Sequence, residues 1–424
     1  MAGASEDLCG SILEKLNAVG IPGEIEPELI RPRALHSRHR KALTELETLF
    51  DNALEAMIDD KRVPGVLCKL ADLHLSEGDY AKAILKYEVC LGFNSRQPAA
   101  WVHMGMAYYL VGEYRDAVSC FGSALAVDKR NMRALTYLAM AQIELRNYEE
   151  SLKNIEKALM LSPNNSRALM AKGLYFKKRG KTEGAITWLK RAIESKNDFI
   201  PAYMELGAIH YENDQLDQAE EALVGALHVD PEQPYAMALL GDVAIKKKDF
   251  NEALFYYDKA VGVKFDEPAL WIRKGDVHKL MRSYKEALNA YSKAINANPE
   301  NIEAWVKSGS VLLLMSDESA ALEYFNTALA LAPDNSEVAH SRGIVYFNQD
   351  RFEEALSDFD AAFSVDPSNP EHLYYRALCL EKLERNPEAR RTWQIASSLY
   401  LEAGDDVKSA ECNARAKRLS KVIW

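Results

Sequence analysis

The chain is short of the residues that punctuate most folds. Its 424 residues include only 15 prolines, 21 glycines and six cysteines. No two of Cys9, Cys68, Cys90, Cys120, Cys379 and Cys412 form a C-x-x-C pair. That excludes the usual sequence form of a structural zinc site or a dithiol redox centre. Reduced thiols in a cytoplasmic protein are therefore expected, with Cys90 serving as a small buried hydrophobe. Positive charge is also in deficit: 52 Lys and Arg against 63 Asp and Glu leave a net charge of −11. A general nucleic-acid binder would carry a basic footprint instead. No apolar run reaches the ~18 residues of a membrane span. The start, Met1-Ala2-Gly3-Ala4-Ser5-Glu6-Asp7, lacks the basic opening of a signal peptide. Gly3 is one place late for myristoylation, and Val422-Ile423-Trp424 is no prenylation box.

Catalytic signatures are missing as well. There is no Gly-rich phosphate loop, no G-K-[ST], no H-E-x-x-H and no G-x-S-x-G. No reaction and no cofactor are assigned. His36 and His39 lie three apart in the basic run Arg31 to Lys41. Such spacing would suit a metal on a helix face, but a solvated basic segment accounts for it more simply. No metal is expected.

What the chain has is a period. From Ala71, steps of 34 residues meet Gly105, Ala139, Gly173, Gly207, Gly241, Gly275, Gly309, Gly343 and Ala377. A fixed period of this size marks a solenoid built from one supersecondary unit. With the small residue at position 8, ten repeats run from 64–97 to 370–403. Position 20 is Ala in nine and Ser151 in one; position 27 is Ala except at Cys90. Position 24 is large: Tyr87, Phe121, Ile155, Leu189, Leu223, Tyr257, Tyr291, Phe325, Phe359, Trp393. Spacings of four and three put these three positions on one helix face. Glycine within a helix costs about 1 kcal/mol against alanine, so its return at position 8 requires close approach of a second helix. Asn131, Asn165, Asn301, Asn335 and Asn369 at position 34 suit N-caps. Pro163, Pro231, Pro299, Pro333 and Pro367 at position 32 stop the second helix. Breaks such as Glu77-Gly78-Asp79 and Asn213-Asp214-Gln215 divide each unit in two.

This pattern resembles the tetratricopeptide repeat (TPR) family, and it does so over about four fifths of the chain. The resemblance implies an all-α fold, a right-handed α-solenoid of ten helix-turn-helix units. Residues 1–63 would then hold an N-terminal helical segment and a degenerate capping repeat, 64–403 the ten repeats, and 404–424 a C-terminal capping helix. Ser5 to Ala18 and Lys41 to Met57 read as the N-terminal helices. His74, His210 and His278 take position 11, the family's aromatic slot, and are expected to be packed rings.

In the family, positions 2, 5, 6, 9, 12 and 13 line an inner groove that takes extended peptides or helices. Lysine is absent from position 5 and asparagine from position 9, so the carboxylate clamp that holds Hsp70/Hsp90 tails is not expected. Position 6 carries no asparagine ladder. The groove positions do hold Tyr109, Tyr137, Arg167, Lys177, Lys178, Tyr211, Lys246, Arg273, Lys279 and Lys307. They suggest a basic, tyrosine-bearing site for an acidic partner segment. Repeat 166–199 has nine cations against three acids, while repeat 200–233 has eight acids and no Lys or Arg. Mutual electrostatic support between these neighbours is the expectation, and an interaction surface is the alternative. The function expected is a non-catalytic protein-interaction scaffold. The alternatives are a non-catalytic subunit or assembly factor of an enzyme complex and an RNA-contacting solenoid.

Overall fold

A computed structural model describes residues 47, 48 and 61–420. The expected helices at 5–18 and most of 41–57, and His36 with His39, lie outside these residues. Among the described residues the chain forms helices and turns only. The 34-residue unit is a helical hairpin: Pro268–Leu280 and Tyr284–Ala297 make one, and Ile302–Leu314 and Glu318–Leu331 the next. A further helix, Asp406–Leu419, follows the last repeat and packs on Asn386–Glu402. The packing separates the chain into two units, Met1–Val243 and Ala244–Trp424, each with its own clusters of buried residues.

The repeated positions do the work their spacing implies. Every residue at positions 20, 24 and 27 is fully buried, from Ala83, Tyr87 and Cys90 to Ala389, Trp393 and Ala396. Ser151 replaces alanine at position 20 and donates its hydroxyl to Ala139 O at 2.9 Å, so the polar atom is satisfied. The glycine at position 8 faces the large residue at position 24 of its own repeat. A Cβ at Gly105 would lie 2.7 Å from the Phe121 ring, and one at Gly207 2.7 Å from Leu223. Two helices approach this closely only where one offers no side chain.

The ends of the helices are set by recurring bonds. Asn131, Asn165, Asn301, Asn335 and Asn369 each accept from a backbone N–H in the following first turn, at 2.9–3.1 Å. The first helix closes in the same way in all ten units, with position 15 in the left-handed region. The N–H of position 16 then reaches the carbonyl of position 11, as in Asp79 to His74 (2.9 Å) and Ser283 to His278 (2.9 Å). This is a Schellman closure, which satisfies carbonyls the helix end leaves open. Glycine supplies position 15 at 78, 112 and 180, but Arg146, Asp214, Lys248, Arg282, Ser316, Asp350 and Glu384 adopt the same conformation. Between units, Trp101, Trp271 and Trp305 at position 4 donate their indole N–H to the carbonyl at position 32 of the preceding repeat, at 2.6–2.8 Å.

The inner helices as candidate interaction site

Position 6 of one repeat meets position 9 of the repeat before it. In the second unit Asp276, at position 9, accepts the Tyr291 hydroxyl at 2.7 Å and the Lys307 ammonium at 2.7 Å. In the first unit Asp72 accepts the Tyr87 hydroxyl and contacts His103 Nδ1 at 2.8 Å. The same three positions thus tie a buried tyrosine, an aspartate and a basic residue of the next repeat. Burial, then Asp276, raise the Tyr291 phenol, which stays protonated and donates. Burial works against the Lys307 charge, but Asp276 and Glu303 hold its pKa above the ordinary value. The groove cation Lys307 is therefore part of the joint between two repeats.

Several other groove candidates are engaged in the same manner. Lys177 reaches Glu205 at 3.4 Å and Glu212 at 3.1 Å, joining the basic repeat to the acidic one. Burial opposes its charge, and the two glutamates more than offset that. Lys178 pairs with Glu144 at 2.7 Å. Arg167 lies over the Tyr137 ring at 5.3 Å and the Phe199 ring at 5.9 Å. Tyr137 itself has no exposed surface and stacks on Phe121 at 5.9 Å. Its ring is part of the packing between helices, with Phe121 on one side and the Arg167 guanidinium over it. Tyr109 and Tyr211 are half-buried, with Tyr109 edge-on to Tyr114 at 5.4 Å. In the second unit Lys246 and Arg273 are exposed and Lys279 is half-buried.

The histidines of position 11 sit in the packing. His74 is buried and contacts Glu47 at 3.2 Å; His210 is buried against the Gln215 amide at 2.6 Å. Burial, then Lys274, lower the pKa of His278. A cleft of about 350 Å³ beside it is lined by Trp271, Lys274, Lys285 and Glu286, with no Ser, Thr or Cys among the lining residues. Among the described residues no three His, Cys, Asp or Glu side chains gather as a metal site. None of their helices is long and apolar enough to cross a membrane.

One expectation is overturned. Cys68 and Cys90 are not reduced thiols: they form a disulfide, with Cα atoms 6.0 Å apart. The reason is the register. Position 5 of the first helix faces position 27 of the second, and only the first repeat has cysteine at both. Spacing within one element does not reveal a pair that the hairpin itself brings together. Cys120, Cys379 and Cys412 are free and buried. Burial pushes their thiols up to about 12, 12 and 11, so they are poor nucleophiles.

Comparison with known proteins agrees with the repeat. Models described as "Tetratricopeptide repeat" match residues 132–165, 204–267, 272–336 and 340–396, and one described as "TPR repeat" matches 173–214. Together these matches cover more than half of the chain. No curated protein matches it. Among solved structures it resembles a Pseudomonas aeruginosa pilF structure, at 20% identity over 50% of this chain and 96% of that one, TM-score 0.42. YrrB, described as a TPR protein with an unusual peptide-binding site, is 23% identical over 46% of this chain and 99% of its own, TM-score 0.38. Yeast Tom70 is 14% identical over 85% and 93%, TM-score 0.42.

Proposed function

The chain belongs to the tetratricopeptide repeat family, and from that premise we propose that it is a non-catalytic scaffold whose second unit holds an acidic peptide or helix of a partner protein. The observation that carries this reading is that cationic groove positions of the second unit present solvent-exposed surface. In the second unit Arg273 stands exposed on the helix Pro268–Leu280, with Lys279 half-buried six residues on. A carboxylate-bearing segment along that helix would meet both. Lys246 belongs to the same proposed set. Tyr109 and Tyr211 of the first unit remain candidates for a separate aromatic contact.

The cytoplasmic location expected from reduced thiols loses that support with the Cys68–Cys90 bond. The interaction reading does not depend on it.

The test is direct binding. A short fluorescent Asp/Glu-rich peptide is titrated against the full chain and against Arg273→Glu/Lys279→Glu. The reading expects saturable, salt-sensitive binding that weakens about tenfold or more in the variant. Equal binding by the two proteins, or none by the wild type, would overturn it.

A further inference from the structure

The first helices of repeats 268–301 and 302–335 end in an unusual way. Leu280 and Met281 close one, and Leu314 and Met315 close the next. These are positions 13 and 14 of consecutive units. All four side chains are exposed, at 56%, 38%, 51% and 37% respectively. The turn does not require them. The same Schellman closure follows Lys246-Lys247 in the preceding repeat and Asn348-Gln349 in the following one. No other two consecutive repeats carry apolar residues at both positions.

Polar residues at a solvent-facing helix end would keep water in contact at no loss of packing. Two Leu-Met pairs one repeat apart instead leave an apolar ledge, a feature that marks interaction surfaces. Methionine adapts its shape to a partner more readily than a branched side chain.

The charge beside the ledge says what kind of partner fits. Lys246, Lys247 and Lys248 are exposed at the matching turn of the preceding repeat, and Arg282 follows Met281. Two carboxylates share these turns, and both are engaged as helix caps. Asp249 accepts from Glu252 N at 2.9 Å and Asp317 from Ala320 N at 3.1 Å. With both carboxylates taken up as caps, the exposed side chains of Lys248 and Arg282 leave positive charge beside the ledge on a chain of net charge −11.

We propose that this turn edge of the second unit is a docking surface for an amphipathic segment of a partner protein, its apolar face on Leu280, Met281, Leu314 and Met315 and its acidic residues toward Lys247, Lys248 and Arg282. The surface adjoins the groove reading above, because Leu280 and Leu314 stand at position 13 and Lys246 is common to both, but it does not use Arg273 or Lys279, and the variants below tell the two apart.

Two synthetic peptides of identical composition test the proposal. One places its leucines on a single helical face beside glutamates; the other distributes them evenly. Both are titrated by fluorescence anisotropy against the full chain and three variants: Leu280→Ser/Leu314→Ser, Lys247→Glu/Lys248→Glu and Arg273→Glu/Lys279→Glu. The amphipathic peptide is expected to bind about tenfold or more tightly than its isomer. The first two variants should each remove most of that preference, and the third should leave it intact. Five of the six substituted positions are exposed and Lys279 is half-buried, and matching melting curves confirm that the variants fold. Equal binding of the two peptides, or loss only in the Arg273→Glu/Lys279→Glu variant, would overturn the proposal. So would sedimentation showing that the wild type self-associates and the serine variant does not, because the occupant would then be a second copy of the chain.

Discussion

Phe325 fills the space that Gly309 leaves open: a Cβ on residue 309 would stand 2.8 Å from the Phe325 ring. Helix propensity favours alanine over glycine by about 1 kcal/mol, while overpacking a filled site costs about 1–3 kcal/mol. Gly309→Ala is therefore expected to destabilise the second unit by roughly 1 kcal/mol net. Phe325→Leu should relieve the clash, so the double variant should lose less stability than the two single changes added together. Urea unfolding of the four proteins measures that coupling. Full additivity would show that the two residues do not share the space.

Position 15 tells the opposite story. Glu384 is held at φ 58°, where a Cβ meets the carbonyl that glycine avoids. It is exposed and closes the helix Pro370–Lys382. Glu384→Gly is expected to stabilise the chain by about 0.5–1 kcal/mol, despite the entropy glycine adds to the unfolded state. A lowered melting temperature would mean that the side chain contributes a contact larger than the strain.

His340 and His372 give the second unit a pH dependence. Their Nδ1 atoms lie 3.0 Å apart, and His372 is buried with no partner for its Nε2. Burial, then the neighbouring His372, lower His340 from 6.5 to about 4. Burial also lowers His372, while Asp366 and Glu371 pull the other way. Between pH 6.5 and 4 the unfolded state binds more protons than the folded one, so stability falls as pH falls and levels off below about 4. The loss from His340 is at most about 3 kcal/mol. His340→Leu should flatten the melting temperature across that window. An unchanged slope would place the acid sensitivity elsewhere.

The Cys68–Cys90 bond closes a loop of sequence separation 22, for which the chain-entropy model gives about 3 kcal/mol. Reduction is expected to lower the stability of the first repeat by that order. Mass spectrometry after alkylation of the folded chain should leave Cys68 and Cys90 unmodified unless reductant is added. Labelling of both without reductant would show that the bond is not formed.

The period alone carried the fold, because close packing leaves the same small and large residues at the same places in every unit. Gly309 under Phe325, the caps at Asn301 and Asn335, and the stops at Pro299 and Pro333 were all legible for that reason. The groove was legible only in outline. A lysine at position 6 or 12 looks the same in sequence whether it faces solvent or an aspartate of the next repeat. The Lys307–Asp276 pair depends on which positions adjacent repeats bring together. The burial of Tyr137 is hidden in the sequence for the same reason. Position 15 was hidden because seven of its ten residues are not glycine, so the left-handed turn leaves no residue signature. The Leu280–Met281 and Leu314–Met315 ledge follows helical spacing and reads as ordinary packing until exposure is known.

The central claim is that the second unit binds a protein partner through Lys246, Arg273 and Lys279. The most direct measurement is quantitative affinity capture from native lysate, with the wild-type chain and the Lys246→Glu/Arg273→Glu/Lys279→Glu variant as paired baits of matched thermal stability. The account predicts a defined set of proteins retained by the wild type and lost from the variant. An identical set on both baits would contradict it.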